Sequence, residues 1–375
     1  MTIKVHWFLP TSGDSRTVVP FGVDGHHRPA TIDYLAQIAQ AADRLGFEGV
    51  LTPTGTWCED AWLVTAALIR ETRRLKFLVA FRPGSLTPTL AAQKAATFQR
   101  LSGGRLLLNI VTGGEPSEQH RFGDWLDHDE RYDRTDEFLS VLRGALLRPT
   151  DFDGRYYHVE GATVSGGPVP TSLYFGGASD AAERVAAKHV DVYLAWGEPP
   201  AMVAPRLARM RELASEHGRT LRFGIRLHTI TRDRSRDAWA ETERFLEDLD
   251  PAIVEIAQNS LSRSESVGQQ RMRSLHGGSR DDLVVAPNLW AGYGLVRGGA
   301  GTTLVGSHDE VADRIEEYHA LGFDEFILSG HPHLEEAYAF GEGVLPILRR
   351  RGLVDELPQT AIPTITAAYA PINGR

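Results

Sequence analysis

The 375-residue sequence holds a single cysteine, Cys58. One cysteine excludes an internal disulfide and any cysteine-cluster metal site. Basic runs are missing too. Lys and Arg number 40 against 49 Asp and Glu, a net charge of −9, and this balance argues against a nucleic-acid partner. No apolar run approaches membrane-spanning length, and Met1 to Pro10 lacks a charged-then-apolar signal pattern, so a soluble cytoplasmic protein is expected. No Gly-x-Gly-x-x-Gly turn follows the first apolar stretch, which weighs against an open dinucleotide-binding sheet. What is present is 42% hydrophobic content on a chain long enough to bury one large core.

Apolar runs of strand length occur at 3–9, 49–52, 75–81, 106–111, 173–175, 191–195, 222–230 and 324–328. Helical periodicity fills most intervals, at 32–45, 61–70, 90–100, 132–147, 180–188, 200–217 and 237–258, then at 309–321 and 334–349. Eight βα alternations predict a parallel sheet closed into a (β/α)8 TIM barrel. Two insertions interrupt it. Residues 151–161, with Asp153-Gly154 at the turn, read as a β-hairpin. Residues 259–307, with glycine clusters and several arginines, read as a long lid-like loop. The expected organisation is one barrel domain over 1–356 and a tail or arm over 357–375.

In such a barrel the chemistry gathers where strands end. Arg226 and His228 lie two apart on an alternating strand, so both face one side, roughly 7 Å apart. A guanidinium forks onto a sulfonate, phosphate or carboxylate, and an imidazole changes charge near neutrality. A solvated strand face would give the same pattern, but Asn109, Thr112, Trp196 and His331 fall at the ends of other predicted strands. Gly176-Gly177-Ala178-Ser179 stands between a strand and a helix, where free amides and a Ser cap favour a phosphate. Tyr132, following His128, opens a helix and can offer a phenol to the same group. Cys58 by itself is more simply a small buried side chain than a nucleophile. His333 with Glu335 and Glu336 matches no metal-ligand spacing, and no metal is expected.

Several longer strings carry a resemblance. Phe8-Leu9-Pro10-Thr11, Pro53-Thr54-Gly55, Cys58-Glu59-Asp60-Ala61-Trp62, Tyr174-Phe175-Gly176-Gly177 and Trp196-Gly197-Glu198-Pro199 are similar to those of the alkanesulfonate monooxygenases. So are Phe223-Gly224-Ile225-Arg226-Leu227-His228, Pro287-Asn288-Leu289-Trp290-Ala291-Gly292, Leu295-Val296-Arg297-Gly298-Gly299-Ala300-Gly301 and Pro332-His333-Leu334-Glu335-Glu336-Ala337. The likeness runs in order from about residue 5 to 348.

The resemblance implies a bacterial-luciferase-like barrel that uses reduced FMN (FMNH2) from a separate NAD(P)H-dependent FMN reductase. With O2 as co-substrate it would cleave the carbon–sulfur bond of an organosulfonate to an aldehyde and sulfite. By carry-over, Trp196, Arg226, His228, Arg297 and His331 surround the substrate, and Cys58 lies near the flavin. Asn109, Thr112, His128, Tyr132, Gly177, Ala178 and Ser179 would hold the cofactor. Two positions depart from the pattern: Ala178 replaces a serine and His331 replaces a tyrosine. A homo-oligomer, dimer or tetramer, is the default for such an enzyme. The competing readings are a flavin monooxygenase on another organosulfur or anionic substrate, a deazaflavin-dependent oxidoreductase, and a non-catalytic flavin or anion binder.

Overall fold

The computed structural model describes residues 2–16 and 27–357. Among these the strands are β1 (Lys4–Phe8), β2 (Gly49–Thr52), β3 (Lys76–Phe81), β4 (Leu106–Ile110), β5 (Thr150–Asp153), β6 (His158–Ala162) and β7 (Leu173–Gly176). They continue as β8 (Val192–Trp196), β9 (Arg222–Arg232), β10 (Val284–Ala286), β11 (Leu289–Trp290), β12 (Thr303–Ser307) and β13 (Glu325–Ser329). Eight of them close a ring in the order β1-β2-β3-β4-β7-β8-β9-β13, every neighbouring pair parallel. This is a (β/α)8 TIM barrel, and its strands are the eight that the apolar runs mark out.

Both faces of each ring strand are covered, so stretches such as KFLVAF in β3 are almost continuously apolar. Inward-facing Phe8, Leu51, Leu78, Leu107, Tyr174, Val192, Leu194 and Ile327 form one buried cluster inside the ring. A larger cluster, including Trp7, Phe77, Phe138, Phe175 and Phe340, joins the strands to the outer helices. At the end where strands begin, buried Glu325 binds His6 Nε2 at 2.9 Å and accepts from the Tyr174 hydroxyl at 2.7 Å, with Arg222 beside it. Three positive or donor groups on one carboxylate plug that end, which leaves the opposite end for a site. No helix among the described residues is long and apolar enough to cross a membrane.

The periodic stretch 237–258 is two helices, Ser235–Glu247 and Pro251–Leu261. Asp250 caps the second through the amide of Ala252, and Pro251 sits at its first turn, where its missing N–H costs nothing. The predicted hairpin is β5–β6, paired antiparallel.

The stretch read as a long loop, 259–307, is largely folded. It carries the helix Val267–Ser274, the antiparallel pair β10–β11 and β12. The reason is a core of its own: Leu283, Trp290, Tyr293, Leu295, Val296 and Val305 bury themselves with Ile230, Phe245, Leu249 and Val254. It is welded to the barrel through β9, whose first residues, 222–226, pair with β8 and whose last five, 228–232, pair with β12. The tail lies outside the described residues beyond Leu357.

Candidate active site

The ends of the ring strands open into a cavity of about 790 Å³. Its wall includes Asn109, Thr112, His128, Tyr132, Gly177, Ala178, Ser179, Trp196, Arg226, Arg297 and His331. These residues are scattered over 223 positions of sequence (109 to 331) and the barrel brings all of them to one space. Two expected members stand off that wall, Cys58 and His228.

One corner is cationic. Arg226 is buried on β9, and its Nη1 donates to the carbonyls of Leu227 and, at 3.3 Å, Ile327. Its Nη2 donates to Ser329 Oγ at 2.7 Å. Arg226 and Arg297 both lie over the Phe8 ring, 5.0 and 5.8 Å from its centroid. Neither guanidinium pairs with a carboxylate among the described residues. Burial, then the neighbouring Arg297, holds Arg226 well below the usual guanidinium range. Burial pushes Arg297 down to about 10, against a smaller upward pull from Tyr293. Both stay charged at neutral pH, so the corner is suited to an anion.

Arg297 rides on a short loop pinched at its base. Gly294 N–H donates to the Gly301 carbonyl at 3.1 Å, and a Cβ on Gly301 would come within 2.5 Å of Gly294 Cα. Only glycine permits that approach. Gly301 belongs to one of the glycine clusters of the lid-like loop, and here it brings two backbones together.

His228 lies behind the wall with no exposed surface. Its Nδ1 is 2.8 Å from Ser329 Oγ and its Nε2 is 3.0 Å from the Ala300 carbonyl. A carbonyl only accepts, so Nε2 carries the proton and the serine hydroxyl donates to Nδ1. Burial first, then Arg226, Arg297 and His331, keeps this imidazole well below the ordinary histidine pKa. It is a neutral brace for Arg226, not a wall residue.

His331 does face the cavity. Its ring stacks 5.6 Å from that of His228 and meets His333 edge-on at 4.6 Å. Its Nε2 is buried without a hydrogen-bond partner. Burial, His333, Arg297 and Arg226 all disfavour its protonation.

Asp14 escapes sequence reasoning altogether, and His333 enters it only as a candidate metal ligand. Asp14, from the loop after β1, accepts from His333 Nδ1 at 2.8 Å and from the His333 backbone amide at 2.8 Å. Both residues are buried, and both line the cavity. They are 319 positions apart, and nothing local in either segment announces the pair.

The opposite corner suits an anion held by backbone. Gly176-Gly177-Ala178-Ser179 leads into the helix Asp180–His189, and Ser179 Oγ caps it by accepting from Ala182 N. A Cβ on Gly177 would lie 2.5 Å from that of Ala182, so the turn can sit this close only with glycine. The Tyr132 phenol stands against this turn, its oxygen 3.5 Å from where a Cβ on Gly177 would lie, and burial raises its pKa. The His128 ring lies 4.9 Å from that of Tyr132. Thr112 Oγ1 is 3.4 Å from Thr135 Oγ1.

Over the cavity sits the helix Val267–Ser274. A Cβ on Gly268 would reach within 3.0 Å of the Trp196 ring. Arg271 of this helix donates to buried Glu198, at 2.8 Å through Nε, while Arg206 holds the same carboxylate at 2.9 Å. Cys58 is elsewhere: its Sγ lies 3.6 and 3.8 Å from the carbonyls of Gly55 and Pro53, and burial pushes its pKa up to about 11. A thiol so held is not a nucleophile at neutral pH.

A family model described as luciferase-like monooxygenase matches residues 3–325. Among solved structures, the chain is similar to a riboflavin lyase solved with modified FMN and riboflavin, at 21% identity and a TM-score of 0.80, over 96% of this chain and 94% of that one. It is also similar to a long-chain alkane monooxygenase, at 19% identity and a TM-score of 0.76, over 96% and 94% of the two chains. An EDTA monooxygenase from Chelativorans sp. BNC1 matches at 19% identity and a TM-score of 0.73, over 95% of each chain. At these identities the likeness is one of fold.

Proposed function

Because the chain belongs to the luciferase-like monooxygenase family, we propose that it is a two-component oxygenase that uses reduced FMN and O2 to cleave the carbon–sulfur bond of an organosulfonate. The observation that carries this reading is the Arg226–Arg297 pair, two buried cations on one cavity wall with no carboxylate to neutralise them. Burying unpaired charge is expensive, and a substrate anion that accepts from both forks would relieve it. A sulfonate offers three oxygens to that pair.

The other corner fits the phosphate of FMN. The turn at 176–179 presents free amides at a helix start, Ser179 and the Tyr132 phenol add hydroxyls, His128 lies beside that phenol, and Asn109 and Thr112 line the same cavity. Bound reduced FMN would supply the electrons that activate dioxygen, and a separate NAD(P)H-dependent reductase would supply the FMN in that state. Ala178 leaves this turn one hydroxyl poorer than the resemblance implies. The protein's own work is then positional. Arg226 and Arg297 fix the sulfonate, and His228 and Ser329 hold Arg226 in place. Trp196 and the helix Val267–Ser274 keep water from the space between the corners.

A panel of sulfonates, sulfinates and carboxylates, supplied with reduced FMN in air, tests this reading. Dioxygen-dependent sulfite release from at least one sulfonate is the expected result. Turnover of carboxylates alone, or turnover without dioxygen, would point to a different substrate class or to a hydride-transfer enzyme.

A further inference from the structure

Conversion of R–CH2–SO3⁻, dioxygen and reduced FMN to R–CHO, sulfite, FMN and water leaves one proton over. The carbon–sulfur bond breaks with its electron pair on sulfite, one oxygen atom becomes the carbonyl and the other becomes water. Two electrons come from the flavin and two from the carbon that carried sulfur. The site therefore needs a proton acceptor beside the anion corner.

Three histidines are close enough to consider, and their surroundings separate them. His228 is walled off, with both ring nitrogens engaged by Ser329 and Ala300. His331 faces the cavity within 4.8 Å of the Asp14 carboxylate, but burial, then His333, Arg297 and Arg226, disfavour a proton there, and no hydrogen bond joins it to a carboxylate among the described residues. His333 is different. Its Nδ1 points at the carboxylate of Asp14, 2.8 Å away, and its Nε2 is buried without a hydrogen-bond partner among the described residues.

Resting on the reading above, we propose that His333 Nε2 accepts the proton released on carbon–sulfur cleavage, and that Asp14 is the positioning residue that sets its tautomer and steadies the resulting imidazolium. An ionised carboxylate only accepts, so a hydrogen bond to it requires Nδ1 to carry the hydrogen and turns the Nε2 lone pair outward. Asp14 is well held as a carboxylate. The Tyr34 hydroxyl donates to it at 2.5 Å, as do the ring and backbone N–H of His333. Burial would raise its pKa, and the charge and hydrogen bonds of His333 and Tyr34 outweigh that and lower it. The charged or titratable groups around the pair are Asp14 and Tyr34, Arg28 with its partner Glu335, His331, and Arg226 with Arg297. Arg28 bonds the Tyr34 hydroxyl at 3.0 Å, so the support of Asp14 extends to a second layer.

Two measurements test it. Long-range ¹⁵N–¹H spectra of the full chain without flavin report the ring tautomer directly. The Nδ1–H form is expected for neutral His333, and Asp14→Asn, whose amide can donate as well as accept, is expected to raise the population of the Nε2–H form. An Nε2–H tautomer in the wild type, or an unmoved tautomer population in Asp14→Asn, overturns the positioning role. The second is sulfite release from 1-pentanesulfonate with supplied reduced FMN. His333→Gln keeps a donor for Asp14 but loses the basic nitrogen. It is expected to lower kcat about 100-fold or more while equilibrium dialysis finds pentanesulfonate binding within about threefold of wild type. Wild-type sulfite release with undiminished kcat in His333→Gln overturns the proton-acceptor role alone. Absence of sulfite from the wild type across all sulfonates overturns the functional reading beneath it.

Discussion

Ser329 Oγ lies 2.8 Å from His228 Nδ1, and the same oxygen accepts from Arg226 at 2.7 Å. One hydroxyl thus joins the two residues that the alternating strand placed on a common face. It accepts from a cation and donates to a neutral ring, so the histidine's tautomer and the arginine's orientation depend on each other.

Replacing Arg226 separates stability from activity. Arg226→Met removes a buried cation with no carboxylate partner and keeps its bulk. The melting temperature is expected to hold or rise. Loss of the charge-assisted bonds to the anion is expected to cost about 2–4 kcal/mol in kcat/KM. A variant that keeps activity within threefold would remove Arg226 from the substrate corner.

The histidine cluster makes stability depend on pH. His228 and His331 are held below the ordinary histidine value, chiefly by burial. In the unfolded chain each takes up a proton near about pH 6.5, while the folded chain does so only at lower pH. Between those values the unfolded state binds more protons, so stability rises with pH. It is complete above about pH 6.5 and is lost on acidification below it. His331→Tyr removes one contributor and is expected to flatten the slope by up to about 1.4 kcal/mol per pH unit. Urea unfolding at pH 7 and pH 5.5 measures the difference. An unchanged difference would mean that His331 is protonated in the fold. Sulfite release at pH 7.5 is expected to survive this substitution, because a phenol and a neutral imidazole each offer a donor.

The phosphate corner is tested through cofactor affinity. Tyr132→Phe is expected to weaken FMN binding by about 1 kcal/mol, and Ala178→Ser to strengthen it by a similar amount. Fluorescence titration of flavin into the free chain reads both. Two variants indistinguishable from wild type would move the phosphate away from the 176–179 turn.

Arg271→Ala loosens the roof. Glu198 keeps Arg206, but the helix Val267–Ser274 loses its ion pair to the barrel. More reduced flavin is then expected to be oxidised without turnover, raising peroxide about threefold or more per sulfite formed. Faster proteolysis within residues 263–280 is expected to accompany it. An unaltered ratio of peroxide to sulfite would show that this contact does not govern closure.

The eight ring strands were legible because both of their faces are buried and each reads as an apolar run. The cavity wall was legible because a barrel gathers strand ends, so Asn109, Trp196 and Arg226 could be placed without any knowledge of their contacts. Position along a strand says nothing of what lies in front of it, which is why His228 was expected on the wall and lies behind it. Cys58 likewise follows β2 but turns toward the carbonyls of its own loop. The folded nature of 259–307 was hidden because its apolar residues complete their core with β9 and the helices Ser235–Glu247 and Pro251–Leu261, contacts that no local periodicity announces. The Asp14–His333 pair depends wholly on closure of β1 against β13, a contact without a local signature.

The joined glycines beneath Arg297 carry a thermodynamic consequence. Closing a chain segment on itself restricts the positions its residues can reach, and here folding has already imposed that restriction. An anion arriving at the cavity therefore has only the side-chain rotamers of Arg297 left to order, not its backbone. Lengthening the 294–301 loop with flexible residues would transfer that ordering to the binding step. The change would be felt as weaker affinity, with every contact to the anion left intact.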